Sequence, residues 1–181
     1  MTLIKTRARG LKLDDNFAFT GTVSGAGGVT MADQWRLTGA YDVPNSTTTI
    51  TGWSQVSGRG FGALGSSMTQ SSGVFTFPST GIYLVKYNLV VQSANGAKRL
   101  TQSMISVTAN NSSFDNASTA RASMYGTDAF SSCYTEFIFD VTDVSTHKCK
   151  FLMYTQDAQT FTQAASDKWR TGVTFIKLGE T

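Results

Sequence analysis

Cys133, Asp140, Asp143, His147 and Cys149 share one short stretch, the only place where a nucleophile, a base and carboxylates come close together in the chain. A Cys–His pair needs the thiol within hydrogen-bond reach of the imidazole and a third group to orient the ring. Here His147 falls in a predicted turn, between strand-like segments that hold Cys133 and Cys149. Neighbouring strand positions project to opposite faces, so convergence is disfavoured and His147 is expected in solvent. The only glutamates, Glu136 and Glu180, stand apart, and a glycosidase-type pair would have to be built from Asp. A hard cation could use Asp140 and Asp143, or Asp14 and Asp15, but neither pair sits in an EF-hand or a Gly-Asp repeat. No phosphate-binding loop or zinc spacing occurs. The expectation is a non-enzymatic protein with no catalytic residue, no cofactor and no metal.

The elements that would position any site follow from composition. The chain has 181 residues, with 26 Thr, 20 Ser and 17 Gly, and only 15 % are charged. A helical protein covers its exposed faces with Glu, Lys and Ala, whereas Thr and aromatics suit pleated sheet. Twelve Phe and a net charge of only +3 argue against disorder. The longest uncharged stretch, residues 60–85, is rich in Gly, Ser and Thr and does not read as a membrane span, so no membrane insertion is expected. The opening residues carry no apolar run of the secretory type, so no signal peptide is expected. Free, buried thiols are favoured over a disulfide for Cys133 and Cys149.

Two parts are expected. Residues 1–31 form an extended arm and Gly-rich connector, with Lys5, Arg7, Arg9 and Lys12 near its start. Residues 32–181 form the folded body, which is nearly neutral. The arm reads either as a solvated tail or as a segment that orders on a larger assembly. In the body, residues 82–92 alternate strictly, with Tyr83, Val85, Tyr87, Leu89 and Val91 on one face, and Asn95-Gly96 follows as a hairpin turn. Residues 133–141 and 169–178 are apolar on both faces. A sandwich core explains one face only, and the other calls for a second partner, such as another copy of the chain. Eight to ten short strands with no helical period imply an all-β sandwich or barrel.

The stretch Gly73-Val74-Phe75-Thr76-Phe77-Pro78-Ser79-Thr80-Gly81-Ile82-Tyr83 resembles the most recognisable part of C1q/TNF-like domains, and residues 169–178 resemble their closing strand. Pro78 would end one strand, Gly81 permit the corner and Tyr83 open the strand that crosses the core. The turn at Asp143-Val144-Ser145-Thr146-His147 lacks the Gly-Asp of secreted animal C1q proteins. Composition is closer to C1q-like modules of bacteriophage fibres and capsid-decoration proteins, and residues 3–13 resemble the start of small structural proteins of marine tailed phages. The resemblance implies a jelly roll that assembles as a homotrimer, with Tyr83, Tyr87, Tyr134, Ile138 and Phe175 as candidates for the trimer interface. It also implies a virion structural protein, made in the host cytoplasm and joined to capsid or tail fibre through contacts of residues 1–30 with other virion proteins.

Two other roles remain open at this stage. One is a tip for host attachment that binds a surface glycan or protein through loops 58–65, 110–116 and 157–167, whose aromatics are Phe61, Phe114 and Phe161. The other is a secreted bacterial C1q-like binding protein. Nucleic acid is disfavoured as a partner, because the arm is short and the body neutral.

Overall fold

The computed structural model describes residues 28–156 and 160–181. The arm cations Lys5, Arg7, Arg9 and Lys12, with Asp14 and Asp15, lie outside the described residues. The strands are β1 (Met31–Leu37), β2 (Asp42–Val43), β3 (Thr48–Thr49), β4 (Trp53–Gln55), β5 (Thr69–Ser71), β6 (Val74–Thr76) and β7 (Gly81–Ser93). They continue as β8 (Lys98–Thr108), β9 (Asp115–Met124), β10 (Phe130–Val141), β11 (Lys148–Thr155), β12 (Thr160–Thr162) and β13 (Gly172–Gly179). All pairings are antiparallel, and no helix occurs among the described residues.

The strands form two sheets. The front sheet runs β2-β12-β7-β13-β1-β4, with β10 along the free side of β7. The back sheet runs β5-β6-β11-β8-β9, with β3 also paired to β11. The architecture is the expected all-β jelly roll. The chain holds more strands than the eight to ten expected because several pairings, such as β2 with β12 and β3 with β11, are only two residues long.

The central strand β7 follows its alternation: Tyr83, Val85, Tyr87, Leu89 and Val91 are fully buried, and the residues between them are partly exposed. At the corner before it, Gly81 has φ +143°, and an added Cβ would lie 2.3 Å from Lys177 Cε. Only a glycine fits that corner without displacing Lys177.

The core is aromatic. The Phe75 ring lies 5.4 Å from Phe151 and 5.1 Å from Phe175, while Trp53 packs edge-on against Phe75, Phe151 and Tyr87. Such pairs contribute about 1 kcal/mol each beyond their buried area. Cys133 and Cys149 are both buried and free. Burial pushes the Cys133 thiol up to about 11 and Cys149 higher still, because a thiolate would lose its hydration.

Candidate functional site: the outer face of the front sheet

Strand register assembles a surface that no contiguous stretch of sequence displays. Across β1, β13, β7 and β10, outward-facing residues line up in rows. One row is Ala32, Ile176, Leu84 and Ile138; the next is Gln34, Thr174, Lys86 and Glu136; the third is Arg36, Gly172, Asn88 and Tyr134. Residues directly opposite on paired strands sit close enough for their side chains to interact. The first row is thus a continuous apolar stripe across four strands. Beyond it, Leu178 is exposed and Ile82 partly so. Ile138 is 59 % exposed and Tyr134 51 %, large values for apolar side chains in the middle of a long strand. The Tyr134 hydroxyl donates to Glu136 Oε2 at 2.8 Å. Partial desolvation and this carboxylate raise the Tyr134 pKa.

Towards β1 the face becomes concave. An ideal Cβ on Gly172 would fall 2.5–2.7 Å from three atoms of the Trp169 six-membered ring. The indole therefore lies flat over Gly172, in the close approach that a strand glycine allows. On the β1 side is a cavity of about 240 Å³ whose lining includes Gln34, Arg36, Arg59, Phe61, Lys168 and Trp169. On the β10 side a second cavity, about 300 Å³, is lined by Gln34, Lys86, Asn88, Tyr134, Trp169, Gly172 and Thr174. Arg59 holds the overhanging loop: it donates to the carbonyl of Asp167 and pairs with the Asp167 carboxylate at 3.2 Å. It does so at φ +50° between two left-handed glycines, Gly58 and Gly60.

The expected interface residues separate. Tyr83, Tyr87 and Phe175 are fully buried inside their own chain, so they fill the sandwich and offer no surface to another copy. Tyr134 and Ile138 are on the surface. The reason is strand parity: odd positions of β7, β10 and β13 face inward, and even positions of β10 face out.

The expected recognition loops also change. Phe61 lines the first cavity together with Gln34. Phe114 is held under Lys150, whose Nζ lies 4.3 Å from the ring centre, and the chain enters β9 at the next residue. Phe161 belongs to β12, opposite Gln92 of β7, so residues 157–167 are not one long loop. Residues 157–159 lie outside the described residues.

His147 is engaged locally. Its ring nitrogens face the Thr142 hydroxyl at 3.3 Å, the Thr146 hydroxyl at 3.0 Å and the Asp143 carbonyl at 3.1 Å, and the ring lies against Phe139. Asp143 caps the turn by accepting from the Ser145 amide and hydroxyl at 2.8 and 2.7 Å. These bonds, the hydroxyl first, hold the carboxyl below its ordinary value. No cluster of three or more His, Cys, Asp or Glu with metal-binding geometry forms among the described residues. Arg36 and Trp169 were not anticipated as site residues. The available signal was Gly172 inside an otherwise bulky closing strand, a mark of close approach by another group.

No protein-family model matches the chain, and no curated protein matches it in sequence. Solved structures do match in fold. Murine APRIL at pH 5.0 superposes with TM-score 0.60 at 15 % identity, covering 82 % of this chain and 98 % of that one. Eiger TNF from S. frugiperda superposes with TM-score 0.61 at 11 % identity, covering 84 % and 95 %. The PRD1 vertex protein P5 superposes with TM-score 0.50 at 16 % identity, covering 84 % and 100 %. At these identities the likeness concerns architecture alone, and it establishes the fold as a TNF-like jelly roll.

Proposed function

We propose that the chain is a non-enzymatic structural knob of a virus particle, a homotrimer that associates through the outer face of its front sheet and is attached through residues 1–30. The observation that carries this reading is the apolar row Ala32, Ile176, Leu84 and Ile138, with Tyr134 exposed beside it. A single sheet face of this kind in water favours burial against a partner, and every copy of the chain carries the same face. The fold likeness to a vertex protein supports a place on a particle, and the basic stretch Lys5 to Lys12 suits docking on an acidic protein surface.

Light scattering on the full chain and on residues 28–181 tests this reading. The expected mass is three times 19.5 kDa for the full chain and three times its own smaller mass for the shortened one. A full chain that is trimeric while the shortened one is monomeric would move association into the arm and remove its anchoring role.

A second reading, a tip that recognises a surface glycan, is favoured by one observation: the paired cavities on either side of Trp169.

A further inference from the structure

Arg36 is only 7 % exposed, because the loops at 57–61 and 167–169 stand over it, and its Nε has no hydrogen-bond partner among the described residues. None of the ion pairs among the described residues includes it. The other buried cations are provided for: Lys177 pairs with Glu180 at 2.9 Å, and Lys98 donates to Asn95 Oδ1 at 3.0 Å. A covered guanidinium without a counter-ion is costly and stands ready for an anion. Among the described residues the one carboxylate lining that cavity, Asp167, is taken by Arg59 at 3.2 Å and Lys168 at 3.8 Å. The described lining therefore presents three cations against a single carboxylate already in use.

We infer that the two cavities form one binding site for an acidic saccharide. A sugar carboxylate pairs with the Arg36 guanidinium in the first cavity, and the sugar ring lies on the exposed indole of Trp169. The next ring occupies the second cavity, where the Lys86 ammonium can donate to its hydroxyl groups. The Asn88 amide oxygen and the Tyr134 hydroxyl oxygen can accept from them, while Asn88 Nδ2 donates to the Arg170 carbonyl and Tyr134 to Glu136, each at 2.8 Å. A free anion would use Arg36 but neither the flat aromatic surface nor the second cavity. A ligand with charge, a stackable ring and several hydroxyls uses all three. This assignment deepens the glycan-recognition reading, and because it uses the Tyr134 end of the same face it requires the contact between copies to be confined to the apolar row Ala32, Ile176, Leu84 and Ile138.

The test is an NMR titration of the full chain, following the three indole N–H signals. Trp35 and Trp53 are already bonded, to Asp33 at 2.9 Å and to the Ile50 carbonyl at 3.0 Å, so their signals serve as internal controls. The probes are a galacturonic acid trisaccharide and the neutral galactose trisaccharide. The expected result is a shift confined to the Trp169 signal, assigned with Trp169→Phe, with the neutral sugar at least about tenfold weaker. Arg36→Met should weaken the acidic probe by about tenfold or more, and Arg59→Ala at the exposed rim by less. Absence of any indole shift, equal affinity for the two sugars, or an unaffected Arg36→Met would overturn the inference. So would inorganic phosphate competing as well as the saccharide, which would leave a plain anion hole. If Arg36→Met binds sugar normally but lowers the solution mass, the cavity belongs to a carboxylate of a second copy. Failure of the homotrimer alone would leave all the sugar results in place.

Discussion

The Oδ2 of Asp33 accepts a hydrogen bond from the Trp35 indole Nε1 at 2.9 Å, two residues along the same strand. The same carboxylate accepts from the amides of Gln34 and Met68 and from Gln55 Nε2, each at 2.9 Å, and the residue is 1 % exposed. It thus ties β1 to β4 and to the chain leading into β5, beneath the wall of the cavities.

Removing that acceptor strands several buried donors at once. Asp33→Ala is expected to cost about 3 kcal/mol, and Asp33→Asn less, because the amide oxygen keeps part of the network. Urea unfolding reads this as a lower midpoint with an unchanged slope. An unchanged midpoint would show that the network contributes nothing net.

The indole over Gly172 makes a second prediction. In Gly172→Ala the new methyl group would begin 2.5 Å from the Trp169 ring, so the ring must leave the sheet. The expected signs are a red-shifted Trp169 fluorescence and a loss of about 1–2 kcal/mol, as for other overpacked sites. A variant with wild-type emission would contradict the stacked geometry.

Cys133 and Cys149 set an alkaline limit on stability. Their folded pKa values lie above those of unfolded thiols, because burial disfavours the thiolate. The folded state therefore keeps protons that the unfolded state releases. The stabilising contribution is whole below the unfolded thiol value of about 8.5 and is lost as pH rises towards the Cys133 value of about 11. The melting temperature should fall across that window, and Cys133→Ala should flatten the fall. At neutral pH both thiols should react with a disulfide reagent only on unfolding.

Asp143 works in the opposite sense. Its bonds from Ser145 lower its pKa, so the contribution exists above the unfolded carboxylate value and disappears as pH falls through the folded one. A carboxyl-carbon titration should place its midpoint below 3.8, and Ser145→Ala should raise it.

The long strands were legible because their alternation is strict. The shared face of Tyr83 and Tyr87 is visible in residues 82–92. Residues 133–141, by contrast, are apolar on both faces, so their pattern separates Tyr134 and Ile138 from Cys133, Phe137, Phe139 and Val141 without saying which set points inward. What local pattern could not supply was register. That Ile176, Leu84 and Ile138 share a row depends on pairings between distant segments. The same limit hid the inward direction of Phe175 relative to the interface, and the strand status of Phe161, which depends on Gln92 far away in the chain. Asp33 reads as a polar strand residue until its four donors are brought together. Arg36 and Trp169 meet only because β1 pairs with β13 and Gly172 leaves room for the indole.

The central claim is that the outer face of the front sheet joins copies of the chain. The most direct measurement compares the solution masses of the wild-type chain and Ile138→Lys. Ile138 is 59 % exposed, so the charge should leave the single-chain fold intact, with unchanged circular dichroism. The account predicts about three times 19.5 kDa for the wild type and a single chain's mass for the variant. A wild-type chain already monomeric at micromolar concentration, or a variant as large as the wild type, would contradict it.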